Sequence, residues 1–555
     1  MRPASGSRSG SRTLRRAAGP VVLALVLAAC PGDDGPPGPG ATKGREPDRG
    51  GELVVAYPHE PATLNPFVTG GDNPATRDLV RPLMPALYRL GPGGAREPWL
   101  LEREPLSAEV GGTPFSVRLR LRADAKWSDG RPITAGDLRF TWQAVMASSK
   151  VASKDGYDRL SDVLVESPTV ARLVFKQPFA RWRDLFSAGL GVLPAHALGG
   201  KTDISAALGR SWPVSGGPFV LKGWTPGLEL VFDRNPNAWG GGPLLDRIRI
   251  QFVPDPVTAL QMFERGLVDV VGPYAGIEMA RRVAQARRGA TVTRDRGATW
   301  VGLFLNVRTS ALSDVRVRRA LALSLDRQTV VEGLVREQGM DTNTASGGDP
   351  ARTDSTFRRY DYRPAEAERL LDAAGWRGSG SDTRRKGSAR LTVTLASVGS
   401  DELNERVLRA LNAQAGSVGI DLNLVSLDAD RFWGSWLSGS RFQAGVVIER
   451  DPPGGAARAR FGPSGAHNIS RLSDQSLRSA FDTADATLDD AATAVDAPWL
   501  RLSELVPVIP LYVLEVTLAA RPGVFEVVAS ASADGFLWDA ARWWREGGAA
   551  SPAAS

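Results

Sequence analysis

The sequence predicts an α/β protein built on mixed sheets, and three features of the chain support this class. Of its 555 residues, 42% are hydrophobic and 15 are tryptophan, which is enough apolar material to bury large cores. Short apolar strands alternate with amphipathic helices along most of the chain. The uninterrupted apolar run near the N-terminus, Val21 to Ala29, has nine residues, whereas a membrane span needs about 20. These features exclude a chain that is disordered throughout and a polytopic membrane protein.

The first half of the body contains short strands separated by a few helices. Thr134, followed three residues later by Asp137, has the pattern of a capping box and marks a helix start. We predict strands at 52–57, 115–121, 173–175, 248–253 and 268–271, a β-hairpin over 216–232, and helices at 76–87, after Thr134, and at 256–266.

Strand–helix–strand order dominates after residue 300. Asp314 is suited to cap a helix in which Val317 and Leu321 share one face. The succession over 391–427 is that of a βαβ unit, which joins parallel strands. We predict strands at 300–307, 391–396 and 421–427, and helices after Asp314, at 364–375 and at 402–416.

The first 29 residues have the pattern of a secretory signal peptide, with an arginine-rich start, an apolar run and then Cys30. The sequence Leu27-Ala28-Ala29-Cys30 resembles the bacterial lipobox, in which the cysteine thiol is acylated and becomes the new N-terminus. Cys30 is the only cysteine, which excludes disulfides and cysteine–metal sites. We predict a lipid anchor on Cys30 and a location on the outer face of the cell membrane. The alternative is an ordinary signal peptide followed by a cysteine without a role.

Residues 30–51 are predicted to be a tether between this anchor and the folded body. More than half of them are glycine or proline, a composition that cannot build a core and behaves as a flexible, fairly extended chain. At roughly 3 Å per residue, the tether would hold the body some tens of Å from the membrane.

Most of the excess positive charge of the chain lies in the predicted signal peptide, residues 1–29, which we call the leader. The formal net charge is +7, but five arginines and no acidic residue precede position 30. Removal of residues 1–29 would leave about +2, which is too little to steer the protein toward phosphate. We predict no nucleic-acid partner.

No motif in the sequence points to catalysis or to a bound metal. The histidines His59, His196 and His467 are far apart, and no H-E-x-x-H or G-x-S-x-G pattern is present. A loose phosphate-loop match at 195–202 begins with alanine and is better explained as a helix end capped by two glycines. We predict no enzyme activity, no metal and no cofactor. Glycoside hydrolysis stays open as a class, because spacing alone does not pair two carboxylates across a cleft.

Aromatic and amide side chains beside loops are the candidates for contact with a small ligand. Trp300, Trp433 and Trp436 lie at the edges of predicted elements, where flat rings could line a cleft, and the alternative is core packing. The other candidates lie at the end of the first strand, in the loop after it and at the end of strand 300–307: Tyr57, His59, Asn65 and Asn306.

Several motifs occur in a fixed order along the body. They are K-W-S-D-G-R-P-I-T-A-G-D at 126–137, S-G-G-P-F-V at 215–220, N-P-N-A-W at 235–239, P-D-P at 254–256 with G-L-V-D at 266–269, and Asn306 with D-V-R-V-R-R-A-L at 314–321 and D-R at 326–327. This ordered set resembles the family 5 extracellular solute-binding proteins of ABC importers, which bind oligopeptides, dipeptides or nickel. The resemblance extends from about residue 52 to about residue 545.

The resemblance implies a class II periplasmic-binding-protein fold, in which two α/β lobes surround a hinge and an extra domain is inserted in the first lobe. A ligand would be buried between the lobes. The implied boundaries are 52–90, 214–298 and 505–545 for lobe I, 91–213 for the inserted domain, and 299–504 for lobe II.

One stretch departs from the family pattern. Peptide-binding relatives carry W-x-x-D-Y-x-D-P, whose aspartate can hold the amino terminus of a peptide by a charge-assisted hydrogen bond. Residues 446–455 here are V-V-I-E-R-D-P-P-G-G, so Glu449 and Asp451 keep carboxylates while the aromatic residues are absent. Both are candidate ligand-binding residues, and the alternative is a surface turn.

The resemblance implies a substrate-binding component of an ABC importer. It would capture a peptide or similar small solute and deliver it to a permease driven by an ATPase, and we expect it to act as a monomer. The altered 446–455 stretch suggests an alternative, a lipoprotein on the same fold with a regulatory or scaffold role in cell-envelope assembly.

Overall fold

The structure is a computed structural model that describes most of the body of the chain. The predicted leader, Cys30 and much of the predicted tether lie outside the described residues, as do Asp451 and His467. The described ranges are 46–187, 190–275, 289–335, 339–341, 356–378, 380–398, 402–428, 431–437, 442–450, 457–462, 468–488, 494 and 496–548.

The described helices are short, and most of them begin at a recognisable cap. Asp255 and Asp314 accept hydrogen bonds from the first backbone amides of their helices, as N-cap residues do. The helices are α1 Pro74–Val80, α2 Ala135–Ala147, α3 Pro256–Arg265, α4 Val315–Ser324, α5 Arg327–Val330, α6 Pro364–Ala373, α7 Glu402–Gly416, α8 Ala457–Phe461, α9 Gln475–Ala486 and α10 Asp496–Leu505. Short 3-10 turns lie at Pro92–Gly94, Ser107–Glu109, Tyr157–Arg159, Trp182–Asp184, Arg358–Tyr360 and Ala540–Arg542, and π-helical turns at Val331–Val335 and Arg431–Trp436.

The described strands range from two-residue pairs to two long strands near the middle of the main sheet. They are β1 Glu52–Tyr57, β2 Tyr88–Leu90, β3 Arg96–Pro98, β4 Val110–Gly111, β5 Ser116–Arg120, β6 Leu160–Ser167, β7 Val170–Phe175, β8 Phe219–Thr225, β9 Glu229–Arg234, β10 Arg247–Phe252, β11 Val270–Ala275, β12 Thr291–Leu305, β13 Gly339–Asp341, β14 Arg385–Lys386, β15 Ala389–Arg390, β16 Thr392–Val398, β17 Asp421–Leu427, β18 Ala444–Arg450, β19 Val508–Ala520, β20 Val524–Phe525 and β21 Trp544–Arg545.

The main sheet is mixed, as the sequence predicts. Its strand order is β17-β16-β18-β12-β19-β11-β1-β10-β9-β8, with β13 paired to β19. β1 pairs in parallel with β10 and β11, and β16 pairs in parallel with β17 and β18, while the central β12 and β19 are antiparallel. A separate antiparallel sheet has the order β4-β5-β7-β6.

Two large hydrophobic cores flank the centre of this sheet. The first core contains Leu53 and Val55 of β1 together with Trp543 near the C-terminal end of the described chain. The second core contains Trp300 of β12 and Leu395 of β16. We use the names first core and second core for these two clusters below. The predicted lobe boundaries stay predictions, because the cores show where side chains pack and not where one lobe ends.

Strand β19, which pairs with β12, connects the two cores. In β19, Val508 and Ile509 pack in the second core, whereas Val516 and Leu518 pack in the first. Their pairing is irregular between the pairs Arg296–Glu515 and Trp300–Val513, where β12 has more residues than β19. Such a β-bulge bends and twists a strand locally. Here it lies where the strands pass from one core to the other.

One predicted helix is wrong in its length. The prediction places a helix at 76–87, whereas α1 ends at Val80. Pro82 and Pro85 explain the difference, because proline has no backbone N–H to donate to the preceding turn of a helix and its ring clashes with that turn. The predicted bounds of β1, α7 and β17 agree with the structure.

Candidate ligand-binding cleft

A cavity of about 140 Å³ lies between elements that pack in the first core and elements that pack in the second. One wall, which we call the first wall, comes from the start of α1, the segment between α2 and β6, and the segment after β7. The other, the second wall, comes from the end of β18, from α8 and from Ile469. The lining residues are Asp72, Asn73, Pro74, Arg77, Ser153, Asp155, Gly156, Tyr157, Phe179, Arg181, Asp184, Leu185, Ser187 and Leu190 on the first wall, and Ile448, Glu449, Arg450, Ala459, Arg460 and Ile469 on the second.

The start of α1 brings charge to the first wall. Asn73 caps the helix, its side chain accepting a hydrogen bond from the Thr76 amide at 3.0 Å, and Pro74 occupies the first turn. Arg77 lies in this helix, and its guanidinium binds the carboxylate of Asp72, just before the helix cap. A helix start therefore presents an ion pair to the cavity.

The charges of the cavity lining are balanced by ion pairs within the protein. Arg181 lies 3.1 Å from Asp155, and Arg460 lies 2.6 Å from Glu449. Asp184 is 2.7 Å from Arg96, which approaches from outside the lining. A site of this kind carries little net charge and offers many fixed polar groups beside apolar side chains.

Burial changes the proton affinity of this lining. Burial raises the pKa of the Asp184 carboxyl, although the charges of Arg96 and Arg181 oppose the rise. Burial alone would lower the pKa of the Arg181 guanidinium, but the charges of Asp155 and Asp485 outweigh it and the pKa is raised. Arg181 therefore stays charged at every physiological pH.

A buried network ties the first core to the end of β18. The Tyr57 hydroxyl donates to Asp78 at 2.9 Å, and the guanidinium of Arg450 binds the other carboxylate oxygen of Asp78. Arg450 Nε also donates to the Thr299 hydroxyl of β12 at 3.3 Å. Burial raises the pKa of the Asp78 carboxyl, while the charge of Arg450 opposes this effect. The network holds Arg450 beside the cavity.

A second cavity of about 430 Å³ adjoins the first and shares Ser153, Asp155 and Ala459 with it. We call the first the inner cavity and the second the outer cavity. Ligand sites commonly occupy about 300–1,000 Å³. The inner cavity alone is smaller than this range, while the outer cavity falls within it. The remaining lining residues of the outer cavity are Ala147, Ser148, Ser149, Val151, Lys154, Asp158, Arg458, Gly462, Arg478 and Phe481.

The part of the chain that the structure describes contains neither a metal-binding cluster nor a helix that could span a membrane. There, no group of three or more histidine, aspartate, glutamate or cysteine side chains could hold a metal ion. Among the same residues, no helix combines the length and the hydropathy needed to span a bilayer.

Comparison with known proteins identifies the family. The family model described as "Bacterial extracellular solute-binding proteins, family 5 Middle" matches residues 97–446, more than half of the chain. The chain belongs to this family. The resemblance that the sequence motifs suggest is therefore confirmed, and the chain is a solute-binding protein and not an enzyme.

Individual family 5 proteins support the assignment over most of the chain. The oligopeptide-binding protein OppA of Mycobacterium tuberculosis is 25% identical over 458 residues, which cover 79% of this chain and 76% of OppA. The nickel-binding periplasmic protein of Escherichia coli is 25% identical over 407 residues, covering 72% of this chain and 75% of that protein.

The fold is also that of a solved family 5 structure. The oligopeptide-binding protein AppA from Bacillus subtilis, in complex with a nonapeptide, superposes with a TM-score of 0.77 at 18% identity. The match covers 90% of this chain and 100% of AppA. The predicted periplasmic-binding-protein fold is therefore confirmed.

Among the predicted ligand-binding residues, Glu449 lies in the lining of the inner cavity, where Arg460 pairs with it. Tyr57 is buried in the network with Asp78. His59 is exposed and meets the Tyr57 ring edge-on. Asp451 lies outside the described residues. Whether any of these four contacts ligand stays a prediction.

The two predicted asparagines anchor loops in this family 5 structure. Asn65 is buried and donates to the backbone carbonyls of Ile204 and Ala207 at 2.8 and 2.9 Å. Asn306 is buried and donates to the Phe442 carbonyl at 2.7 Å. Both side-chain amides therefore donate to backbone carbonyls in this conformation.

The predicted tryptophans lie on the second-core side. Trp300 has no exposed surface, and its ring stacks on Phe304 at 5.9 Å. Trp436 is half-buried against the second core. The backbone of Trp433 belongs to the π-helical turn at 431–436, but its side chain is outside the description. For Trp300, the core alternative matches the observed position.

Apart from Glu449, the sequence does not predict the charged residues that line the cleft. Asp155, Arg181 and Asp184 come from one part of the chain, while Arg460 follows about 280 residues later. The segment Arg181-Trp-Arg-Asp184 does signal a polar loop with an aromatic residue. Its place in a cavity depends on long-range packing, which spacing does not reveal.

Proposed function

We propose that this protein is the membrane-anchored, extracytoplasmic substrate-binding component of an ABC importer. It captures a peptide or a similar small solute in the cleft between its two cores and delivers it to a permease, which an ATPase drives. It works as a monomer and changes its conformation when the solute binds.

The cavity with one wall from each core is the observation that carries the proposal. A ligand held there contacts both walls at once, so binding stabilises the arrangement in which the walls are close. A permease can then distinguish loaded from empty protein by the relative position of the walls.

The chemistry of the lining supports a solute with both polar and apolar groups. Paired charges offer donors and acceptors to a peptide backbone, whereas Phe179, Leu185 and Ile448 offer apolar contact to side chains. OppA and AppA, which are named for oligopeptide binding, support the same substrate class. The inner and outer cavities adjoin, so a short extended peptide could occupy both.

The sequence supports the proposed position outside the cell. The lipobox-like segment before Cys30 and the glycine- and proline-rich residues after it form an anchor and a tether in our proposal. The predicted lobe boundaries belong to the same proposal. The boundary near 299 is supported by the first core, which has no member between 299 and 504, and by the second core, which begins at Trp300 and extends to Tyr512, beyond the predicted boundary at 504.

A ligand screen tests the proposed function. The purified protein is heated with a tryptic digest of casein, with a panel of sugars, or with nickel and histidine, and the melting temperature is recorded. We expect the digest to raise the melting temperature by several degrees, since a ligand that binds only the folded state stabilises it by RT ln(1 + L/Kd), where L is the free ligand concentration. If none of the three classes changes the melting temperature, the proposed function is wrong.

A further inference from the structure

A cluster of ion pairs joins the two walls beside the cavities. The Asp485 carboxylate, in the last turn of α9, lies 2.9 Å from Arg181 Nε of the first wall and 3.1 Å from Arg458 Nη1 of α8. We call the following group the Asp485 cluster: Asp155, Arg159, Arg181, Arg458, Asp482 and Asp485.

The cluster connects segments that are distant in sequence. Arg181 lines the first wall, and Arg159 lies in the 3-10 turn Tyr157–Arg159 beside it. Arg159 binds Asp482 and Asp485, and Arg181 binds Asp485, about 300 residues later in the chain. A backbone hydrogen bond lies at the same place, since the Ala180 amide donates to the Asp485 carbonyl at 2.7 Å. Side-chain charge and backbone therefore hold the two walls together at one point.

The position of the cluster links it to the ligand site. Arg181 lines the inner cavity, Arg458 lines the outer cavity, and Asp155 lines both. Asp485 lines neither cavity but binds both arginines. A substitution of Asp485 would therefore act on a ligand indirectly, by removing a partner of the two guanidinium groups that line the cavities.

Because Asp485 is buried, its ion pairs contribute more to holding the walls together than ordinary surface ion pairs would. Its side chain is 7% exposed, whereas that of Asp482 is 46% exposed. Surface pairs are weakened by solvent and salt, and exposed pairs contribute little. Asp482 therefore serves as the exposed edge of the cluster and Asp485 as its buried centre.

We propose that Asp485 is a positioning residue that fastens the two walls of the cleft to each other through Arg181 and Arg458, and thereby sets the affinity for the solute. This inference rests on the proposed function. The fastened arrangement is the one that binds, so the apparent affinity depends on how often the empty protein adopts it.

The experiment compares Asp485→Asn with a matched control, both in full-length protein carrying Cys30→Ala. The control is Glu166→Gln, because Glu166 binds Arg118 and Arg172 at 2.6 Å within the separate sheet of β4 to β7. Small-angle X-ray scattering of the ligand-free proteins gives the radius of gyration. Titration with the casein digest gives the digest concentration that raises the melting temperature by a fixed amount, and this concentration scales with Kd.

We expect Asp485→Asn to increase the radius of gyration of the ligand-free protein and to raise about tenfold the digest concentration needed for the same rise in melting temperature. Glu166→Gln should change neither. Asp485→Glu, which keeps the charge, should restore most of the affinity. If Asp485→Asn leaves both quantities at the values of the control, the inference is overturned.

A second variant covers the case in which Asp485→Asn does not fold. Arg159→Gln removes the pairs to Asp482 and Asp485 from a side chain that is 22% exposed, and it should give a smaller change in the same direction. The two proposals also fail differently. If the digest stabilises the wild type and the variants match the control both in radius of gyration and in the digest concentration they need, the inference alone fails. If the digest has no effect on the wild type, the proposed function fails.

Discussion

The Asp78 carboxylate of α1 binds the Arg450 guanidinium at the end of β18, and this pair is buried between the first core and the second. Asp78 is 1% exposed and Arg450 is 7% exposed. A buried pair of this kind is costly to break, because the partner that remains keeps its charge without compensation.

We predict that Asp78→Asn destabilises the protein by about 3–5 kcal/mol, because it leaves the Arg450 charge buried and unpaired. Unfolding in urea, followed by circular dichroism, measures the change. Glu166→Gln is the matched control, and its cost should stay below about 1 kcal/mol because its partners are at the surface. Equal costs for the two variants would contradict the buried role of the pair.

We predict that Ile448→Trp blocks the inner cavity. Ile448 is 46% exposed and lies in the cavity lining, so a larger side chain has room to enter the cavity without disturbing the core. The rise in melting temperature caused by the casein digest should disappear, while the ligand-free melting temperature should change little. Leu106→Trp, at a site that is 56% exposed and outside both cavity linings, should keep the response. A full response in Ile448→Trp would show that the solute binds elsewhere.

We predict a pH-dependent stability difference at Asp539. Burial raises the pKa of this carboxyl to about 7, although the hydrogen bond from Trp543 and the charges of Arg542 and Arg89 oppose the rise. The folded state therefore holds the proton more tightly than the unfolded chain, whose pKa is about 3.9. The contribution of this group to stability is present below about pH 4 and is lost as the pH rises to about 7.

The asparagine side chain of Asp539→Asn does not titrate. The melting temperature of this variant should therefore rise relative to that of the wild type as the pH increases from 4 to 7. Melting curves of both proteins at intervals across this range measure the gain. A difference that does not depend on pH would mean that Asp539 titrates as in an unfolded chain.

We predict that Cys30→Ala moves the protein from the membrane fraction to the soluble fraction of its host, because the acylated thiol is the proposed anchor. Fractionation and immunoblotting measure the distribution. Thr42→Ala, in the same predicted tether, should leave the protein with the membranes. Retention of Cys30→Ala in the membrane fraction would contradict the anchor.

Local signals explain the parts of the fold that the sequence predicts well. β1 ends at Tyr57 because Pro58 follows, and α2 begins after Thr134, where Asp137 completes the capping box. The parallel pairing of β16 with β17 follows from the helix between them. In each case a few neighbouring residues determine the result.

Long-range packing explains what the sequence does not predict. The first half of β12, Thr291–Arg296, is rich in polar and charged residues, and only pairing with β19 makes it a strand. The position of Trp300 at the edge of a predicted strand makes it a candidate for ligand contact. In the structure its side chain packs in the second core, and only long-range packing determines which side of the strand faces that core. The cleft itself unites residues about 280 positions apart.

The place of β19 in the main sheet has a consequence for biosynthesis. β19 pairs with β12 on one side and β11 on the other, so the sheet is divided until residue 520 has left the ribosome. Both cores need side chains from this late strand. A nascent chain that ends before β19 therefore lacks the strand that joins the two halves of the sheet and part of each core.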